Sequence, residues 1–149
     1  MYQYSVTLKK ELVSDLDVKF RCSEEVALEP WVHNLFLDDN DKEHFYILCL
    51  NVKNKIVGYN ELSKGSLTSS VVHPREALKT AILSNSASVI FVHNHPSGDP
   101  EPSNDDIQIT HRLVKSFNLL GINVLDHIIL GFDAEEMKNY YSFKQKGIL

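Results

Sequence analysis

The stretch ASVIFVHNHPSGDPEPSNDD, residues 87–106, organises the chain. Residues 87–92 form a short apolar run that is largely β-branched or aromatic, which predicts a buried strand. His93 and His95 follow at the end of this strand. Because side chains two residues apart on a strand point to the same face, the two imidazoles are placed to bind one ion.

The residues after the two histidines predict a stiff loop followed by a helix. Three prolines, at positions 96, 100 and 102, restrict the loop. Ser103 is the predicted N-cap of the helix, and Asp106 then occupies its third position. This arrangement turns Asp106 back toward the histidines. Two neutral imidazoles and one carboxylate form a three-ligand set for Zn²⁺ that leaves a fourth position for water, as in catalytic zinc sites.

Each part of this pattern also has an ordinary structural interpretation. Ser103 and Asp106 are spaced as in a capping box, so Asp106 could serve only the helix terminus. His93 and His95 could be two hydrogen-bonded histidines without a metal. The complete pattern, His-x-His-Pro followed by the spaced serine and aspartate, is much more specific than any of its parts.

The complete pattern resembles the JAMM (MPN+ or JAB) metalloprotease motif, and the wider chain resembles the bacterial RadC family. The matching segments are VHPRE at 72–76, HNHPSG at 93–98, PS at 102–103 and LDH at 125–127. The resemblance covers roughly residues 28–131. It implies an α/β fold of the cytidine-deaminase-like JAB/MPN type, with a mixed β-sheet flanked by helices.

The resemblance implies a zinc-dependent hydrolase, a metallopeptidase or isopeptidase with one Zn²⁺ per chain. His93, His95 and Asp106 would hold the zinc. A zinc-bound water needs a base, and the motif stretch supplies none. The candidates near strand ends are Glu43 and Glu61. JAMM enzymes carry this glutamate at the start of an early strand, and Glu43 matches that context better.

Ser103 has two candidate roles that compete for one oxygen. As an N-cap it accepts a hydrogen bond from a backbone N–H. As the motif serine of the family, it would donate to the oxyanion of a tetrahedral intermediate. The sequence leaves both roles open, and we treat Glu43 and Ser103 together as the candidate catalytic residues.

The other polar members of the pattern have candidate roles outside metal ligation. Asp126 and His127 lie inside an apolar run, where buried polar side chains must be hydrogen-bonded, and we expect them to support the ligands or the packing. Arg75 could orient a substrate carboxylate or form a salt bridge. The remaining histidines have no ligand partner at useful spacing and are expected to be ordinary surface or core residues; they are His33, His44, His73 and His111.

Periodicity predicts the remaining elements. Strands are predicted at 2–8, 43–52, 56–62, 67–72, 122–130 and 140–143. Helices are predicted from Ser23 as N-cap, from Pro74, and from Ser103 to the glycine cap at Gly121. Pro30 either bends the first of these helices or starts another. The second helix is expected to bury Ala77, Leu78, Ala81 and Ile82. Because some strands form hairpins, the sheet should be mixed.

Length and composition limit the number of domains and the class of protein. The chain has 149 residues, 43% of them hydrophobic, which is the size of one domain with a substantial core. We expect residues 1–27 to be an N-terminal extension and residues 28–149 to be the metal-binding domain. The apolar runs are too short to span a membrane, and residues 1–10 lack a signal-peptide core. Cys22 and Cys49 form no paired motif and are expected to be buried or half-buried thiols, which favours a cytoplasmic location.

The partners follow less directly from the sequence. An unknown protein or peptide substrate is expected, and the oligomeric state cannot be read. The RadC label offers an alternative, a DNA-repair-associated binding or accessory module without peptidase activity. However, the net charge of −5 does not support bulk electrostatic binding of nucleic acid. Longer RadC proteins carry a helix-hairpin-helix module before this domain, and we expect this chain to be a stand-alone form without it.

Overall fold

The computed structural model describes residues 1–3, 5, 9–12, 19–20, 22–36, 39, 41–65, 72–131 and 139–149. The strands in these residues are β1 (Glu43–Leu50), β2 (Ile56–Gly65), β3 (Ser88–His95), β4 (Asn123–Gly131) and β5 (Asn139–Ser142). The helices are α1 (Ser23–Leu28), α2 (Pro30–Asn34), α3 (Pro74–Leu83) and α4 (Asn104–Asn118). The strands predicted at 2–8 and 67–72 fall largely outside the described residues.

The described strands form one sheet in the order β2-β1-β3-β4-β5. The pairs β1–β2, β1–β3 and β4–β5 are antiparallel, whereas β3 and β4 are parallel. This confirms the predicted mixed sheet. The central strand β3 is buried along its whole length, as expected for a strand covered on both faces.

Each face of the sheet carries its own hydrophobic cluster. The face with Phe45 and Phe91 packs against Ala77 of α3 and Phe117 of α4. The opposite face, with Tyr46, Leu48 and Val92, packs against Val26 of α1 and Val32 of α2. Since residues alternate between the faces, His93 follows Phe91 onto the face covered by α3 and α4.

Several predicted helix starts are confirmed. Pro74 occupies the first turn of α3, and Ser103 is the N-cap of α4. Pro30 starts a separate helix, α2. At the other end of α4, Gly121 has the left-handed φ of 71° that favours glycine.

Three finer predictions are wrong. Ser23 is not the cap of α1, because the helix begins one residue earlier and Cys22 occupies the cap position without a side-chain hydrogen bond. Cys22 is also exposed, whereas Cys49 is buried as expected. Ile82 is 55% exposed, because the buried stripe of α3 is narrower than predicted and centres on Ala77 and Ala81.

No helix among the described residues has both the length and the apolar character needed to cross a bilayer.

Candidate metal centre

Three side chains of the motif stretch converge in the interior beside the end of β3. His93 Nε2 lies 3.1 Å from His95 Nε2 and 3.3 Å from Asp106 Oδ1. His95 Nε2 lies 3.4 Å from Asp106 Oδ2. All three residues are buried. They form a buried group of two imidazoles and one carboxylate that could bind a metal ion.

The spacing of these atoms fits a tetrahedral zinc ion. Zn²⁺ binds histidine nitrogen and carboxylate oxygen at about 2.0–2.2 Å, so tetrahedral ligand atoms lie about 3.3 Å apart. The separations of 3.1–3.4 Å match this value. Asp106 Oδ1 is buried and accepts no hydrogen bond from any described residue. A buried polar atom without a partner is costly, and a cation would satisfy this oxygen.

The capping box of α4 orients the carboxylate. Asp106 Oδ2 accepts hydrogen bonds from the backbone N–H and from the hydroxyl of Ser103, both at 2.7 Å. The Ser103 hydroxyl in turn accepts a hydrogen bond from the Asp106 backbone N–H at 3.2 Å. Ser103 therefore fixes Oδ2 and leaves Oδ1 directed toward His93 Nε2.

The loop after β3 sets the protonation of His95. His95 Nδ1 lies 2.7 Å from the backbone carbonyl of Asp99. A carbonyl can only accept, so Nδ1 carries the proton and Nε2 presents its lone pair to the group. This is the arrangement that metal-binding histidines commonly show.

A second hydrogen-bonded path leads away from His93. His93 Nδ1 lies 2.8 Å from His127 Nε2, and His127 Nδ1 lies 2.6 Å from Thr110 Oγ1. Thr110 Oγ1 lies 2.5 Å from the backbone carbonyl of Asp106. The expectation that His127 is buried and hydrogen-bonded is confirmed. Asp126 is bonded elsewhere, accepting from the backbone N–H groups of His127 and Lys144 and from Ser142.

The electrostatics of the group suit a divalent cation. Burial lowers the pKa of His93 and holds the pKa of His127 well below its usual value, so both rings are neutral. Burial also opposes ionisation of Asp106, but the close approach of the His93 and His95 rings outweighs it and lowers the pKa of this carboxyl. For His95, burial favours the neutral ring, yet the nearby Asp106 carboxylate and the Asp99 carbonyl outweigh it and raise the pKa. The centre thus offers an ionised carboxylate beside imidazole nitrogens.

The two candidate bases lie on opposite faces of the sheet. Glu43 starts β1 and shares a face with Phe45, which pairs directly with His93. The negative charge of Glu43 acts on His93 and His95, favouring their protonated forms. Glu61 instead pairs with Tyr46, on the other face, where its carboxylate lies 2.5 Å from His44 Nδ1. The structure therefore places Glu43, and not Glu61, on the sheet face that carries the candidate ligand His93.

Asn94 holds the backbone on both sides of Glu43. Its side-chain oxygen accepts from the backbone N–H of His44 at 2.7 Å, and its amide nitrogen donates to the backbone carbonyl of Lys42 at 2.9 Å. Asn94 is fully buried between the two candidate ligands on β3. One side chain thus links the ligand strand to the segment that carries the candidate base.

Comparison with known proteins agrees with this geometry. A family profile described as the RadC-like JAB domain matches residues 23–148. The chain belongs to the RadC-like JAB domain family. A UPF0758 protein of Caldanaerobacter subterraneus is 50% identical over 119 residues, which cover 76% of this chain and 51% of that protein. A UPF0758 protein of Syntrophomonas wolfei is 42% identical over 145 residues, which cover 97% of this chain and 57% of that protein.

A third UPF0758 protein, from Desulfitobacterium hafniense, is 50% identical over 109 residues, covering 73% of this chain and 46% of that protein. The chain spans about half the length of the curated relatives it matches. Its mixed sheet with helices on both faces is consistent with a JAB/MPN-type fold.

An open cleft lies beside the candidate metal centre. It has a volume of about 500 Å³ and is lined by Asp41, Lys42, Glu43, Gly65, Pro96 and Ser97. The cleft therefore joins the candidate base to the loop that directly follows His95. Arg75 lies outside it, is mostly exposed, and forms an ion pair of 3.5 Å with Glu76, which matches the salt-bridge interpretation.

Sequence reasoning missed three residues that support this centre. Thr110 lies one helical turn after Asp106 on α4, and that spacing was a usable signal. Asn94 stood inside the motif but was given no role. Gly131 pairs with His95 across β3 and β4, and a Cβ there would lie 2.2 Å from the carbonyl oxygen of Gly98. Glycine at 131 therefore lets the loop after His95 pass close to β4.

Proposed function

We propose that this chain is a zinc-dependent hydrolase of amide bonds, a metallopeptidase or isopeptidase. The observation that carries the proposal is the buried cluster of His93, His95 and Asp106, whose tetrahedral spacing is combined with a carboxylate oxygen that accepts no hydrogen bond from the described residues. A zinc ion held there would supply Lewis acidity, which polarises a carbonyl and acidifies water.

Glu43 is the proposed general base. Its position on the same face as His93, at the edge of the open cleft, supports this role. Its carboxylate would accept the proton of the attacking water and then deliver it to the leaving amine. Asn94 supports the same role, because it holds the peptide groups on both sides of Glu43.

Ser103 is proposed to orient the carboxylate ligand in the resting state. Its hydroxyl hydrogen is directed to Asp106 Oδ2, so the hydroxyl would have to release this bond before it could donate to an oxyanion. Donation to Asp106 Oδ2 and donation to an oxyanion use the same hydroxyl hydrogen, so these two roles can alternate but cannot coincide, whereas the hydroxyl oxygen can accept from the Asp106 backbone N–H in either case.

A hydrolysis screen tests the proposal. Zinc-loaded protein is incubated with peptide and isopeptide-linked substrates, beside the variants Glu43→Gln and Glu61→Gln. We expect turnover to fall about 10²- to 10⁴-fold in Glu43→Gln, the usual contribution of a general base, with zinc retained. Glu61→Gln is the matched control and should keep most of its activity. Absence of hydrolysis in the wild type, or equal activity in Glu43→Gln, would contradict the proposal.

A further inference from the structure

A continuous buried path of hydrogen bonds joins two of the three candidate ligands behind the metal centre. It runs from His93 Nδ1 through His127 and Thr110 to the backbone carbonyl of Asp106. His93, His127, Thr110 and Asp106 all have 0% exposure, so water has no access to the path. Each proton on it must therefore be assigned to an atom of the path itself.

The donor and acceptor of each hydrogen bond in the path follow from its last member, the backbone carbonyl of Asp106. The backbone carbonyl of Asp106 can only accept, so the single hydroxyl hydrogen of Thr110 points to it. The Thr110 oxygen can then only accept from His127, which places a proton on His127 Nδ1. His127 Nε2 is consequently left as an acceptor.

The same reasoning assigns the proton of the candidate ligand His93. Because His127 Nε2 accepts, the bond of 2.8 Å to His93 requires a proton on His93 Nδ1. A neutral His93 then has its lone pair on Nε2, the atom that lies 3.3 Å from Asp106 Oδ1. The opposite tautomer of His127 would set two N–H groups against each other at this bond.

We propose that His127 and Thr110 are positioning residues that fix the tautomer and ring orientation of His93 for zinc. The path also ties that ring to the first turn of α4, so that His93 and Asp106 are placed as one unit. This inference rests on the zinc-binding part of the proposed function, and it adds roles for two residues that do not themselves contact the metal.

Two threonine variants test the path with zinc itself as the probe. Thr110→Val keeps the shape of the side chain and removes the hydroxyl, whereas Thr110→Ser keeps the hydroxyl. Zinc affinity is measured by competition with a chromophoric chelator. Loss of the Thr110 hydroxyl frees the tautomer of His127, the partner of His93, so we expect Thr110→Val to bind zinc about 10- to 100-fold more weakly, as is typical when the support of a metal ligand is lost, and Thr110→Ser to bind nearly as tightly as the wild type. Thr80→Val, which removes a hydroxyl on α3, is the matched control.

A second measurement needs no variant. Long-range ¹H–¹⁵N correlation spectra of the histidine rings show which nitrogen carries the proton. We expect His127 to be protonated on Nδ1 in the wild type, and a proton on Nε2 would overturn the inference. Equal zinc affinity in the wild type and Thr110→Val would overturn it while leaving the proposed function standing. Failure of the wild type to bind zinc would overturn both.

Discussion

Asp106 Oδ2 accepts two hydrogen bonds from Ser103, one from its backbone N–H and one from its hydroxyl, both at 2.7 Å. The pair serves two purposes at once. It caps the N-terminus of α4 as a capping box, and it leaves Asp106 Oδ1 directed to His93. The start of a helix thus determines the geometry of a candidate metal ligand.

Replacement of Ser103 separates these purposes. Ser103→Ala should destabilise the metal-free protein by about 1 kcal/mol, the usual cost of losing an N-cap hydroxyl. The backbone N–H of residue 103 still holds Oδ2, so we expect zinc to remain bound. Urea unfolding and zinc analysis of Ser103→Ala and Ser103→Thr check this. Loss of zinc in the alanine variant would show that the hydroxyl itself is needed to place Asp106.

Asn94 is predicted to position Glu43. Asn94→Asp keeps an acceptor for the N–H of His44 but places an oxygen against the carbonyl of Lys42. We expect a loss of about 1–3 kcal/mol of stability, the cost of unpaired buried polar groups, and lower turnover with zinc retained. Asn60→Asp, at an exposed position of β2, is the control. Unchanged turnover in Asn94→Asp would show that Glu43 is held by other contacts.

Gly131 is predicted to be sensitive to a single methyl group. In Gly131→Ala the new Cβ would meet the carbonyl oxygen of Gly98, so the loop must move away from residue 131, which would disturb the hydrogen bond between the Asp99 carbonyl and His95. We expect a destabilisation of about 1–3 kcal/mol, typical of overpacking, together with weaker zinc binding. Gly58→Ala is the control, since a Cβ there meets nothing within 4 Å. Equal behaviour of the two variants in thermal unfolding and zinc titration would refute the role of Gly131.

Zinc should stabilise the folded chain. A ligand that binds only the native state at about a thousandfold excess over its Kd adds about 4 kcal/mol, so addition of a chelator should lower the Tm clearly. Asp106→Asn removes the ligand charge, and its Tm should respond little to zinc or chelator. Differential scanning calorimetry compares the two proteins. A wild-type Tm that does not change when the chelator is added would count against a zinc site.

The sequence predicted what depends on neighbours along the chain. The strand end at His93 and His95 and the cap at Ser103 follow from local spacing, and the structure shows both. The turn at Gly121 follows in the same way. Local spacing failed at Ser23 and Ile82, where the helix boundary and the width of the buried stripe depend on the packing around each helix.

The contacts that require the folded sheet could not be read from the sequence. The choice between Glu43 and Glu61 depends on the register of β1 against β2 and β3, which sets the face of each side chain. The approach of Gly131 to Gly98 and the path through Thr110 arise between elements that are distant in sequence. The spacing of Thr110 from Asp106 along α4 was a signal for one step of this path, but the sequence gives none for the contacts between different elements.

The central claim is that His93, His95 and Asp106 form a zinc site. The most direct test is the metal content of the protein purified without chelators, measured beside His95→Ala. We predict about one zinc per chain in the wild type, as expected for a three-ligand catalytic site, and loss of the zinc in the variant. Absence of bound zinc from the wild type, even after zinc is added, would contradict the account.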